Sequence, residues 1–110
     1  IVGKALGVPV YELLGGKHRD VIPCFATAGG SSGEEMMAKA QQLWDHGWKV
    51  IRTSTLMPRQ PASSDIFEPR QSIAYTAEWL IKIREALGSE LALCIDYHHR
   101  LGLADTASFC

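Results

Sequence analysis

The 110-residue chain balances 11 Lys and Arg against 12 Asp and Glu, and 46% of it is hydrophobic, enough to bury the core of one small domain. Its formal net charge of −1 offers neither the basic excess that nucleic acid or an anionic membrane attracts nor an acidic solvating tail. Apolar runs such as Leu91–Ile95 are far too short to span a membrane, and no basic stretch leads into an apolar one as in a signal peptide.

Three cysteines, Cys24, Cys94 and Cys110, form no CxxC pair and leave an odd count. That usage predicts a reduced cytoplasmic setting, with the cysteines acting as small buried hydrophobes. The chain opens on Ile1 without an initiator Met and ends on Phe109-Cys110, where a helix is starting. Both ends predict a piece of a longer protein.

In chain order, Lys4-Ala5-Leu6 predicts the tail of a helix that Gly7 ends, and Val8-Pro9 turns the chain outward. A short helical turn, Val10 to Leu14, stops at Gly15-Gly16, and Lys17 to Asp20 form a charged surface bend. Val21 to Thr27 is an apolar run of β-formers bounded by Gly29-Gly30, a buried strand with Pro23 near its beginning. Ser31 or Ser32 can cap the next helix, each with a glutamate three positions on. Met36, Ala40, Leu43 and Trp44 then make an apolar helical stripe that Gly47 closes.

Trp48 to Ser54 predicts a second strand. The loop that follows, Thr55 to Arg70, is about 16 residues long, well beyond the roughly two to six usual for a βα connection, and long loops are commonly functional. Ile73, Ala77, Leu80, Ile83 and Leu87 predict a third helical stripe ended by Gly88. Leu91 to Ile95 is a third strand, and Leu103 to Phe109 starts another helix.

The order β-α-β-α-β-(α), with strands apolar enough to be buried on both faces, predicts an α/β fold with a parallel sheet covered by helices. Periodicity leaves open whether the sheet is doubly wound or the start of a barrel. No GxGxxG or GxxxxGK[ST] follows any strand, which argues against nucleotide binding.

The third strand runs into Asp96-Tyr97-His98-His99-Arg100, titratable groups at the C-terminal end of a buried parallel strand, where such sheets build their sites. Strand alternation places Asp96 and His98 on one side, with Arg100 sharing their parity, and Tyr97 and His99 on the other. Asp96 is a hard oxygen donor suited to Mg²⁺, and a histidine beside it suits general acid or base work. In the competing reading Asp96 caps the following turn and the histidines are merely on the surface.

Two stretches carry a resemblance. Gly3-Lys4-Ala5-Leu6-Gly7-Val8-Pro9-Val10-Tyr11-Glu12-Leu13-Leu14-Gly15-Gly16 closely resembles the GKALGxPVYxLLGG segment of the mandelate racemase-like branch of the enolase superfamily. Cys94-Ile95-Asp96-Tyr97-His98-His99-Arg100 resembles the D-x-H-x-R at the end of the third barrel strand in its mannonate and galactonate dehydratase groups. The resemblance implies the first βα units of a TIM-type barrel in residues 21–110, with residues 1–20 as the linker from an N-terminal capping domain. It further implies a Mg²⁺-dependent dehydratase of a sugar acid, a homo-oligomer at full length, with Asp96 as one metal ligand and His98 as the acid that protonates the departing hydroxyl. Alone, this stretch is expected to be inactive, because its units cannot close a barrel.

The second strand departs from part of that superfamily. Racemases and cycloisomerases carry Lys-x-Lys there, whereas this chain has Arg52-Thr53-Ser54, and Ser54 is a poor base. Racemisation or epimerisation of a hydroxy acid is thereby disfavoured. Arg52 resembles the arginine of mannonate dehydratase-like proteins, where it lies near a loop tyrosine that supplies the base; its other reading is an ion-paired strand-end residue with no catalytic part. The Thr55–Arg70 loop contains no tyrosine, and Tyr75 falls on the next helix. A superfamily member kept for binding or regulation, without turnover, is the alternative that the missing base on the second strand supports. His18 and His46 read as surface residues, Trp44, Trp48 and Trp79 as helix–sheet packing, and Met36 and Met37 as core filler.

Overall fold

A computed structural model describes residues 1–57 and 66–110. Two short helices come first. α1 (Val2–Leu6) ends at Gly7, which takes the left-handed conformation (φ 67°) and donates its N–H to Gly3. α2 (Val10–Leu13) starts after Pro9, and the chain leaves it through Gly15 and Gly16, both at positive φ. These are the stops expected from the glycines.

β1 (Ala26–Ala28) is shorter than its apolar run. Among the described residues it pairs only with β2 (Val50–Ser54), beginning at Ala26 opposite Ile51, so residues 21–25 have no ladder there to join. Pro23, without an N–H, suits that unpaired lead-in. β2 also pairs in parallel with β3 (Ala92–Asp96), giving the order β1-β2-β3.

α3 (Gly33–Asp45) carries its predicted cap in a modified form. Ser32 Oγ accepts the Glu35 N–H, while Glu35 Oε2 accepts from the N–H and hydroxyl of Ser31, one residue earlier than in the standard box. The Ser31 N–H, with its hydroxyl, holds the Glu35 carboxyl below its ordinary value. The start of α3 rests on the Trp79 indole so closely that any side chain at Gly33 would run into the ring.

α4 (Pro69–Leu87) begins four residues before its predicted stripe, with Pro69 in the first turn, where a missing N–H costs nothing, and Glu68 capping Arg70. Its buried residues are Ser72, Thr76, Ile83 and Leu87. The N-terminal half is therefore rotated by one position from the Ile73–Ala77 stripe. The Ser72 hydroxyl donates to Leu56 O at 2.7 Å, and Thr76 Oγ1 accepts the Leu56 N–H at 3.0 Å. Two buried hydroxyls thus satisfy the backbone of the residue that leaves β2, which is why a polar pair can occupy a core face. α5 (Leu103–Phe109) closes the described chain.

The core lies between the sheet and the helices α3 and α4: Ala28, Met36, Ala40, Ile51, Leu56, Ile83, Leu87 and Leu91 are all buried there. Met37, Leu43, Trp44 and Trp79 pack around it, as expected of core filler and helix–sheet packing, whereas Trp48 is exposed. So are Cys24, Cys94 and Cys110, which lie outside the core instead of filling it. Burial on both faces of the sheet does not hold among the described residues. Ile51 and Thr53 are shut in, while Arg52, Ser54, Cys94 and Asp96, alternating with them, line a face that α3 and α4 do not cover.

Candidate functional site

The open face collects its polar side chains at the C-terminal ends of β2 and β3. The register sets Ser54 beside Asp96 and Arg52 beside Cys94. From two residues further back, Arg52 Nη1 reaches Asp96 Oδ2 at 3.0 Å, an ion pair with each side chain about one-third exposed. Arg52 is thus ion-paired at the strand end, and its partner is the candidate metal ligand itself.

Asp96 is the last residue of β3, and its other oxygen turns the chain. Oδ1 accepts the His98 N–H at 2.9 Å and lies 3.4 Å from His98 Nδ1. His98 and His99 take φ values of 47° and 60°, and Arg100 donates its N–H to Tyr97 O at 3.0 Å. Two consecutive non-glycine residues in the left-handed region are costly, and such strain gathers at functional sites.

This turn corrects the extended geometry expected of residues 96–100. Asp96, His98 and Arg100 do share one cavity, of about 280 Å³, with Arg52, Ser54 and Thr55. They meet because a left-handed turn brings the chain back over the strand end, not because the strand continues. The turn-capping reading of Asp96 is also correct for Oδ1, so one carboxylate both holds the turn and faces the cavity. Tyr97 points away and meets Phe109 edge-to-face, with centroids 5.4 Å apart.

The His98 N–H is the largest influence holding the Asp96 carboxyl below its ordinary value; partial burial opposes it, and the charges of His98, Arg52 and His99 add to the lowering. Asp96 is therefore ionised across the neutral range. A carboxylate with hard oxygens and lone pairs to spare fits one position of a Mg²⁺ octahedron. Among the described residues no group of three His, Cys, Asp or Glu could hold a metal ion. Asp96 fits as one ligand of a larger set.

Two aromatic contacts escaped the sequence reading. The Phe25 ring lies 5.1 Å from the Arg52 guanidinium, and the Phe67 ring lies 5.5 Å from that of Arg100. Phe25 was legible only as part of an apolar run; the register of β1 on β2 is what brings it to Arg52. Tyr75 lies on α4, beside a separate cavity with Ser31, Ser32 and Met57. Half of the long loop, residues 58–65, falls outside the described residues.

No family model matches the chain. Curated relatives do. A D-mannonate dehydratase of Caulobacter vibrioides is 34% identical over 92% of this chain. A D-galactonate dehydratase family member of Enterococcus gallinarum is 29% identical over 99% of it. The chain is a relative of the acid-sugar dehydratases of the enolase superfamily. It spans about 30% of the length of these relatives.

Solved superfamily structures agree over the whole fold. An enolase from Pantoea ananatis, with bound D-gluconate and Mg, superposes with a TM-score of 0.77 at 26% identity, covering 99% of this chain and 33% of that one. A putative dehydratase from Mesorhizobium loti gives 0.73 at 28% identity, covering all of this chain and 31% of its own. The parallel β1-β2-β3 sheet and its helices correspond to part of the superfamily's TIM barrel, which settles what periodicity left open between a barrel and a doubly wound sheet. No helix among the described residues is long and apolar enough to cross a membrane.

Proposed function

We propose that the chain supplies part of the active site of a Mg²⁺-dependent sugar-acid dehydratase, with Asp96, His98 and Arg52 as its contributions. The observation that carries the proposal is the convergence of these three side chains on one cavity at the strand ends. The likeness to dehydratases along nearly the whole chain, and the gluconate and Mg in the Pantoea ananatis protein, support it. Residues 1–20 then serve as the connector from a capping domain, and residues 21–110 as the first units of the barrel.

Dehydration of a 2,3-dihydroxy acid removes the α-proton, builds negative charge on the carboxylate side and expels the β-hydroxyl. Bound Mg²⁺ would supply charge stabilisation for the substrate carboxylate, with Asp96 among its ligands. Arg52 presents a guanidinium with donors beyond the one given to Asp96, suited to a substrate carboxylate or hydroxyl. His98 is three-quarters exposed on its side chain, so its imidazole is accessible to a substrate in the cavity. As an imidazolium it can give its proton to the departing β-hydroxyl. Its Nδ1 lies 3.4 Å from Asp96 Oδ1, which holds the ring at the cavity. The α-proton base lies outside these assignments.

The test is to incubate the full-length protein with Mg²⁺ and a panel of six-carbon sugar acids, gluconate, mannonate and galactonate among them, following the 2-keto-3-deoxy product. Turnover of at least one is expected, with loss on chelation. A folded full-length protein that dehydrates none would sink the proposal.

A further inference from the structure

We propose that Phe25 is a positioning residue for Arg52: its ring fixes the guanidinium that pairs with Asp96. Arg52 is held from two neighbouring strands. Asp96 Oδ2 on β3 accepts from Nη1 at 3.0 Å, and the Phe25 ring, just ahead of β1, lies 5.1 Å from Cζ. That distance is within the roughly 6 Å at which the negative face of an aromatic ring attracts a cation. The ion pair by itself leaves a long side chain several rotamers, since one hydrogen bond does not fix the plane of the fork. A second contact through the ring removes that freedom.

Phe25 is half exposed and outside the core between the sheet and the helices. A large apolar residue at this place contributes little to that core, and its described polar neighbour is the Arg52 cation. The consequence for turnover rests on the dehydratase reading above; the geometry does not.

The experiment uses the full-length protein with Phe25 replaced by mono-, di- and trifluorophenylalanine, which drain charge from the ring face while nearly preserving its shape, and by Phe25→Leu and Phe25→Trp. The Nε–Hε resonance of Arg52, identified by its loss in Arg52→Lys, reads the contact without turnover, and kcat and KM for a dehydrated sugar acid read its effect. Stepwise loss of kcat with fluorination, reaching about two- to fivefold, is expected. It should be accompanied by a moved Arg52 resonance in Phe25→Leu and substantial recovery in Phe25→Trp. A resonance unmoved in Phe25→Leu overturns the proposal. So does a kcat that stays flat across the fluorinated series while the wild type turns over, because packing alone would survive fluorination. If the wild type dehydrates no sugar acid, the functional reading fails instead, and the resonance still decides whether Phe25 positions Arg52.

Discussion

The two faces of the β1-β2-β3 sheet alternate residue by residue yet have opposite duties. Ile51 and Thr53 point into the helix-covered core and are essentially inaccessible, whereas Arg52 and Asp96 stand about one-third exposed on the other side. One position along a strand separates a side chain that holds the fold from one that lines the candidate site. The covered face is therefore expected to set stability and the open face to set activity, and each can be damaged without the other.

The largest effects belong to the open face. In the full-length protein, Asp96→Asn and His98→Asn are each expected to lower kcat by about 10²–10⁴-fold, with Tm nearly kept, as seen by a turnover assay beside a thermal melt. A large fall in Tm in both variants would mean that the left-handed turn, rather than the chemistry, is what they support. Next comes the covered face: Ile51→Ala and Ile83→Ala remove fully buried side chains and are expected to cost about 2–5 kcal/mol each, measured by denaturant unfolding. The kcat of the molecules still folded should change little. If it collapses, the two faces are not separable.

A smaller effect sharpens the boundary where β2 leaves the sheet. Ser72→Ala leaves Leu56 O with only the longer 3.3 Å bond from Thr76, and about 1–2 kcal/mol of stability should be lost. The smallest effect is at the α3 cap. The Glu35 carboxyl is held below its ordinary value by the Ser31 N–H, so its contribution is present above the unfolded carboxyl range and disappears as pH falls through the lower folded value. The Tm difference between wild type and Glu35→Gln should therefore shrink on acidification; a difference that grows would refute the cap.

Much of the fold was legible because its signals are local. Gly7, Gly47 and Gly88 stop their helices, Ser32 and Glu35 start one, and the apolar runs locate β2 and β3 closely, whereas β1 begins only at Ala26, near the end of its run. The polar face of α4 was not legible, because Ser72 and Thr76 are core residues only if a backbone elsewhere needs their hydroxyls. Asp96 and His98 stood out by type and by position at a strand end. Their extended arrangement did not survive, because the Asp96 carboxylate captures the His98 N–H and reverses the chain.

By itself, then, the sequence determined the order of elements, their caps and stops, and which residues could carry acid–base or metal chemistry, since each depends on neighbours a few positions away. Only the tertiary structure decided that Arg52 pairs with Asp96 across 44 positions, that Phe25 covers the same guanidinium, and that Leu56 is anchored on α4. Those contacts depend on the register of strands far apart in the chain. A shift of that register by a single residue would exchange the two faces, and no local pattern encodes which alignment the packed helices select.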